Sequence, residues 1–175
     1  MDGEQAVTMV QISDRFHGLD DEHTVNFYEN EFYPLSNFSA FQVQWCNAMF
    51  PTSEHAYQWS KFLADGNPTI AHQIRYAPSA HEAFKIAERN KDLRRSDWDE
   101  AKLRIMEAIL RAKHEQHEYV RRKLLQTGGR QLVENSWRDD FWGIGPKGDG
   151  QNHLGRLWMK IRDEVVSGYR AAGQR

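Results

Sequence analysis

A chain of 175 residues and 20.5 kDa carrying six Trp, nine Phe and six Tyr can bury roughly 70% of its unfolded surface in one domain, which excludes disorder. A mean hydropathy of −0.80, with no run near the ~20 apolar residues of a spanning helix, excludes a membrane span; the single Cys46 excludes an internal disulfide or thiolate zinc site and reads as a buried small hydrophobe. The net charge of −2 argues against strong nonspecific nucleic-acid binding, but three basic side chains face eleven acidic ones in residues 1–84 and fourteen face nine in 85–138, so an anionic ligand is drawn to the second half.

The amino end, MDGEQAVTMVQISD, lacks the basic start and apolar run of a signal peptide, so the cytoplasm is the expected compartment. Residues 1–23 read as a loosely ordered acidic arm, with 6–12 as a candidate edge strand. Aromatic and β-branched content favours short strands in 24–28 and 41–50, separated by the turn-rich Tyr33-Pro34-Leu35-Ser36-Asn37. Thr52 after Pro51 caps a helix to about 64. Ser79 with Glu82 forms a capping box for a helix to about 88, and Asp97 caps a third, in which Leu103, Met106 and Leu110 share a side. A run at 118–126 stops at Gly128 and Gly129. After Leu132-Val133 comes a glycine-rich loop, and Asn152 caps a last helix to about 168. These elements predict an α+β fold, mainly helical with a few short strands, in one domain over 24–168 with a tail at 169–175.

Two constellations carry chemistry. On the helix after Thr52, Glu54, Gln58, Lys61 and Asp65 fall on one side and Ala56, Trp59, Phe62 and Leu63 on the other. Glu54 sits in the first turn, where the helix dipole favours an ionised carboxylate that can stabilise a cation or act as a general base. Lys61, a rare cation in the acidic half, can serve as acid, base or amine nucleophile. From spacing alone an exposed amphipathic face accounts for this stripe equally well.

The second constellation is Asp139-Asp140-Phe141-Trp142-Gly143-Ile144-Gly145-Pro146-Lys147-Gly148 through Asn152. It contains G-x-G-x-x-G, but Pro146 interrupts it and too little chain follows for a dinucleotide-binding unit. Its glycines let backbone NH groups approach a ligand, and the paired Asp with Trp142 suit a sugar bearing a flat base. His114 and His117 in HEQHE lack the order and third ligand of a zinc signature, so no metal is implied.

Taken together these segments resemble the NADAR family, also called YbiA-like proteins. The likeness rests on Asn26-Phe27-Tyr28, Leu35-Ser36-Asn37-Phe38, Phe50-Pro51-Thr52-Ser53-Glu54-His55-Ala56-Tyr57-Gln58, Lys61-Phe62, Asp97-Trp98, Ala112-Lys113 and Trp142-Gly143 to Asn152-His153-Leu154-Gly155. It departs at Tyr33, Leu35 and Trp158. The resemblance implies a YbiA-like fold and an N-glycosidase that cleaves the C1–N bond between a ribose phosphate and an exocyclic amine on a guanine-like base. Early riboflavin intermediates are the first expected substrates, ADP-ribosyl guanine in nucleic acid the alternative, and a non-catalytic reader of NAD or ADP-ribose the alternative of another class. It implies a small nucleotide-like partner and no cofactor. Glu54, Lys61 and Asp139 become the expected catalytic residues, and Asn37, His55, Gln58, Lys85, Trp98, Asp140, Trp142, Gly143, Gly145 and Asn152 the expected substrate contacts.

Overall fold

A computed structural model describes residues 20–28 and 30–172, with Asn30 and Arg170 described in the backbone only. Most of the expected arm, with the candidate strand at 6–12, lies outside the described residues. In chain order the elements are β1 (Thr24–Asn26), a 3-10 turn (Asn30–Leu35), β2 (Val43–Trp45), β3 (Ala48–Phe50), α1 (Ser53–Ser60), α2 (Pro68–Arg75), α3 (Ala80–Arg89), a 3-10 turn (Lys91–Leu93), α4 (Trp98–Gln116), α5 (Glu118–Gln126), β4 (Gln131–Val133) and α6 (His153–Ala172). The fold is α+β and mainly helical.

Several boundaries differ from the sequence expectation, each for a physical reason. The strand expected over 41–50 is an antiparallel hairpin, pairing Val43 with Phe50. Its turn residues Cys46 and Asn47 both have positive φ, 47° and 61°, the pattern of a type I′ turn that matches strand twist. Cys46 is therefore exposed, not buried. The first long helix ends at Ser60, and Ala64 turns the chain with φ 59°. A helix not expected from sequence, α2, begins with Pro68 after the Asn67 cap, whose Oδ1 accepts from Thr69 N and Ile70 N. Asp97 makes no capping bond, because Arg95 takes its carboxylate. The last helix runs on to Ala172, so residues 169–172 are helical rather than tail.

The chain falls into two compact units. In the unit from Asn37 to Arg122, α1 packs against α2, α3 and α4, and α4 packs against β2. Its core includes Phe62, Ala71, Ile74, Ala77, Ala83 and Ala87, flanked by Trp59, Ile70 and Ile86. The Gln116 side chain accepts from Gln44 N and donates to Gln44 O, at 2.8 and 3.0 Å, so the end of α4 continues the ladder of β2.

The other unit joins the chain up to Ser36 with Lys123 onward. Here β1 and β4 pair in parallel, Val25 opposite Leu132, and α6 packs against β4. Gly155 makes that approach possible: a Cβ there would lie 2.1 Å from Leu132 O. The indole of the fully buried Trp158 donates to Leu35 O at 2.8 Å. Arg162, 5% exposed, donates to Thr127 Oγ1 and Arg130 O just beyond α5.

Candidate functional site

The first candidate is built on α1. Pro51 precedes Thr52, whose extended backbone (φ −148°) lets its hydroxyl accept from His55 N. This cap sets the helix so that Glu54 lies in the first turn. The first half of the polar stripe is not a solvated face: Glu54 and Gln58 are buried at 5% and 2% exposure, as are Ser53 and Ser60 beside them, while Lys61 is partly buried and Asp65 exposed. Burying a carboxylate is costly unless hydrogen bonds hold it. Gln58, one turn on, donates through Nε2 to Glu54 Oε1 at 2.7 Å, and the Glu54 main chain donates to Asn37 O at 3.0 Å. Asn37 in turn directs Nδ2 to Met106 Sδ at 3.3 Å. Asn37 Oδ1, Ser53 Oγ and Gln58 Oε1 are buried without a hydrogen-bond partner among the described residues.

Lys61 follows the end of α1. Its side chain is 13% exposed, with Nζ 5.4 Å from the Tyr57 ring centre and 5.7 Å from that of Trp98. The two rings meet at 5.0 Å and 57°, and Glu88 Oε1 lies 3.9 Å from the amine. Two ring faces and a carboxylate thus present negative potential to a cation. Trp98, 2% exposed, reaches this group from the start of α4.

Two expected contacts have other work in this unit. His55 has both ring nitrogens engaged, Nδ1 with Thr52 Oγ1 at 2.8 Å and Nε2 with Ala77 O at 3.1 Å. Its burial holds the imidazole below its ordinary range, partly opposed by the Ala77 hydrogen bond. Lys85 is half exposed, 3.9 Å from Glu82. Asp65 has left the stripe to accept from Ser96 Oγ and N, which lowers its carboxyl pKa. Sequence reasoning missed Tyr57 and Glu88 around Lys61. Tyr57 was findable, because i and i+4 residues meet on a helix. Glu88 comes from another helix and left no local signal.

In the other unit, the late loop is shaped by its own side chains. Asp139 Oδ1 accepts from Phe141 N and Trp142 N at 2.9 and 2.8 Å, an Asx-type turn. Asn152 grips β4, Oδ1 accepting from Glu134 N at 3.0 Å and Nδ2 donating to Leu132 O at 2.9 Å. Its amide therefore holds the strand and does not cap α6. Phe141 packs against both the Trp142 and His153 rings, at 5.0 and 4.4 Å. Gly145 takes φ 66°, where a Cβ would strike Asp140 Cβ at 2.7 Å, and Gly143 is buried while the Asp140 side chain is exposed. Neither of the HEQHE histidines is bound to a metal-like cluster: among the described residues no group of three His, Cys, Asp or Glu has the geometry to hold an ion, and His117 meets Gln42 O.

Comparison with known proteins gives a concordant answer. The family profile for the NADAR domain matches residues 26–166. N-glycosidase YbiA of Escherichia coli (strain K12) is 37% identical over 145 residues, covering 81% of this chain and 88% of that protein. The riboflavin biosynthesis protein PYRR, chloroplastic, of Zea mays is 35% identical over 156 residues, 81% of this chain but 25% of that longer protein. The NMR structure of the E. coli protein YbiA superposes with a TM-score of 0.75 at 32% identity, over 89% of this chain and 92% of that one.

Proposed function

The chain belongs to the NADAR family, and from that premise we propose that its N-glycosidase activity acts on ribosylaminopyrimidine phosphates, the early riboflavin intermediates, at the buried carboxylate of Glu54. The observation that carries this reading is Glu54 itself: an acid 5% exposed at a helix start, held by Gln58. As the C1–N bond breaks, its electron pair leaves with nitrogen and positive charge builds on the ribose ring. An ionised carboxylate fixed beside C1 stabilises that charge without reorganising. Water then adds its oxygen to C1, and its proton passes to Glu54.

The departing nitrogen needs a proton, and Lys61 is assigned to give it. The Tyr57 and Trp98 rings and Glu88 suit an ammonium, which is the proton-donating form. The products are ribose 5-phosphate and the free amine. A Schiff-base route through Lys61 would instead be trapped by cyanoborohydride, and no adduct is expected.

Trp142, Asp140, Gly143 and Gly145 stand as separate proposals for ligand contact, tested by binding: Trp142→Ala is expected to weaken it. The substrate is a small nucleotide-like molecule, and the protein is assigned to the cytoplasm; no described helix is long and apolar enough to cross a membrane. The test is incubation with a ribosylaminopyrimidine phosphate and, in parallel, with ADP-ribosylated guanine in nucleic acid, followed by mass spectrometry. Release of ribose 5-phosphate from the first supports the reading. Release of ADP-ribose alone assigns the chain to de-ADP-ribosylation.

A further inference from the structure

Two of the three unpartnered oxygens near the start of α1 share one chemical property, the third being the Ser53 hydroxyl. Asn37 Oδ1 and Gln58 Oε1 are acceptors only, each on a side chain at least 95% buried and each without a partner among the described residues. The orientation of Gln58 follows from its neighbour: an ionised carboxylate can only accept, so Nε2 faces Glu54 and Oε1 is turned away. Nε2 and Oε1 hang from one carbon, so the vacant acceptor lies within one amide group of the carboxylate contact. The Asn37 main chain meets the start of α1, its carbonyl accepting from Glu54 N, and its Nδ2 is directed to Met106 Sδ.

A ligand group that fits there must bring donors and no negative charge, so the phosphate of the substrate is excluded from this position. If C1 lies at Glu54, as the glycosidase reading requires, the nearest sugar hydroxyl is the one on the adjoining carbon. We propose that Gln58 and Asn37 determine specificity by accepting hydrogen bonds from the pentose hydroxyls, the 2′-hydroxyl at Gln58 above all. The protein therefore cleaves ribosyl and rejects 2′-deoxyribosyl N-glycosides. This inference rests on the glycosidase reading and deepens it. A deoxyribosyl analogue would leave the buried acceptors unpaired, the situation in which enzymes discriminate most strongly. The discrimination runs against intrinsic chemistry, because a 2′-hydroxyl withdraws electrons and slows spontaneous C1–N cleavage.

The test offers the full chain a ribosylaminopyrimidine phosphate and its 2′-deoxyribosyl counterpart, and reads release of the pentose 5-phosphate by mass spectrometry. The wild-type kcat/KM ratio is expected to favour the ribosyl compound by at least about 100-fold. Gln58→Leu, which keeps the volume and removes the acceptor, is expected to shrink that ratio about tenfold or more by slowing the ribosyl substrate, with Asn37→Ala as the second variant. The wild-type comparison needs no variant to fold. Equal turnover of both compounds, or a ratio unchanged in both variants, removes the specificity role and leaves the glycosidase assignment standing. Turnover of neither removes the substrate assignment and this inference with it.

Discussion

Gln58 Nε2 lies 2.7 Å from Glu54 Oε1, one helical turn away and equally buried. The contact converts a helix stripe that solvent could have covered into an oriented internal acid. Breaking it leaves a buried carboxylate short of a donor. Gln58→Ala is therefore expected to destabilise the protein by about 1–3 kcal/mol, measured by urea unfolding at pH 7.

The buried imidazole of His55 predicts a pH dependence. Its folded pKa is lowered from 6.5, chiefly by desolvation, so below that value the unfolded chain binds a proton that the folded chain refuses. Stability is present above pH 6.5 and is lost as pH falls toward the folded pKa. His114 shifts in the same direction, by desolvation first and then Arg121. Urea midpoints at pH 7.5, 6.5 and 5.5 are expected to fall, and His55→Gln and His114→Gln together to flatten that decline.

Lys113 is wholly buried, its ammonium donating to Ser39 Oγ at 2.7 Å beneath the Phe41 ring. The loop that carries Ser39 also carries Asn37. Ser39→Ala removes an acceptor from a desolvated charge and is expected to cost about 1.5–3 kcal/mol, read as a lower urea midpoint with an unchanged slope.

At Gly155 there is no room for a side chain, since a Cβ would meet Leu132 O at 2.1 Å and the Asn152 amide at 2.6 Å. Gly155→Ala must push α6 off β4 and is expected to destabilise by about 3 kcal/mol or more. Gly168, with nothing near its Cβ, is the control: Gly168→Ala in the same helix is expected to be neutral or stabilising in a thermal melt.

What could be read from sequence was local chemistry. Thr52 and Ser79 announce their helices because a cap is decided within three residues, and both accept the bonds expected of them. Asn67-Pro68 is an equally local signal, a cap followed by a proline in the first turn. The parallel pairing of β1 with β4 joins Val25 to Leu132, so no neighbouring residue encodes it. Asp97 fits a cap by pattern, but a stronger partner, Arg95, sits two residues away. The same limit governs the site. Spacing placed Glu54, Gln58 and Lys61 on one helical side, yet whether that side faces solvent depends on what α1 packs against, and only the tertiary structure supplies α2, α3 and α4. Asp139 and Asn152 illustrate the converse: their residue types suit a sugar or a phosphate, and they are engaged with the backbone of their own unit.

The most direct measurement is turnover of a ribosylaminopyrimidine phosphate by wild type and Glu54→Gln, following ribose 5-phosphate by mass spectrometry and substrate affinity by calorimetry. The account predicts that kcat falls by about 10²- to 10³-fold while the substrate still binds and the variant melts cooperatively. A folded Glu54→Gln protein that releases ribose 5-phosphate at the wild-type rate would contradict it.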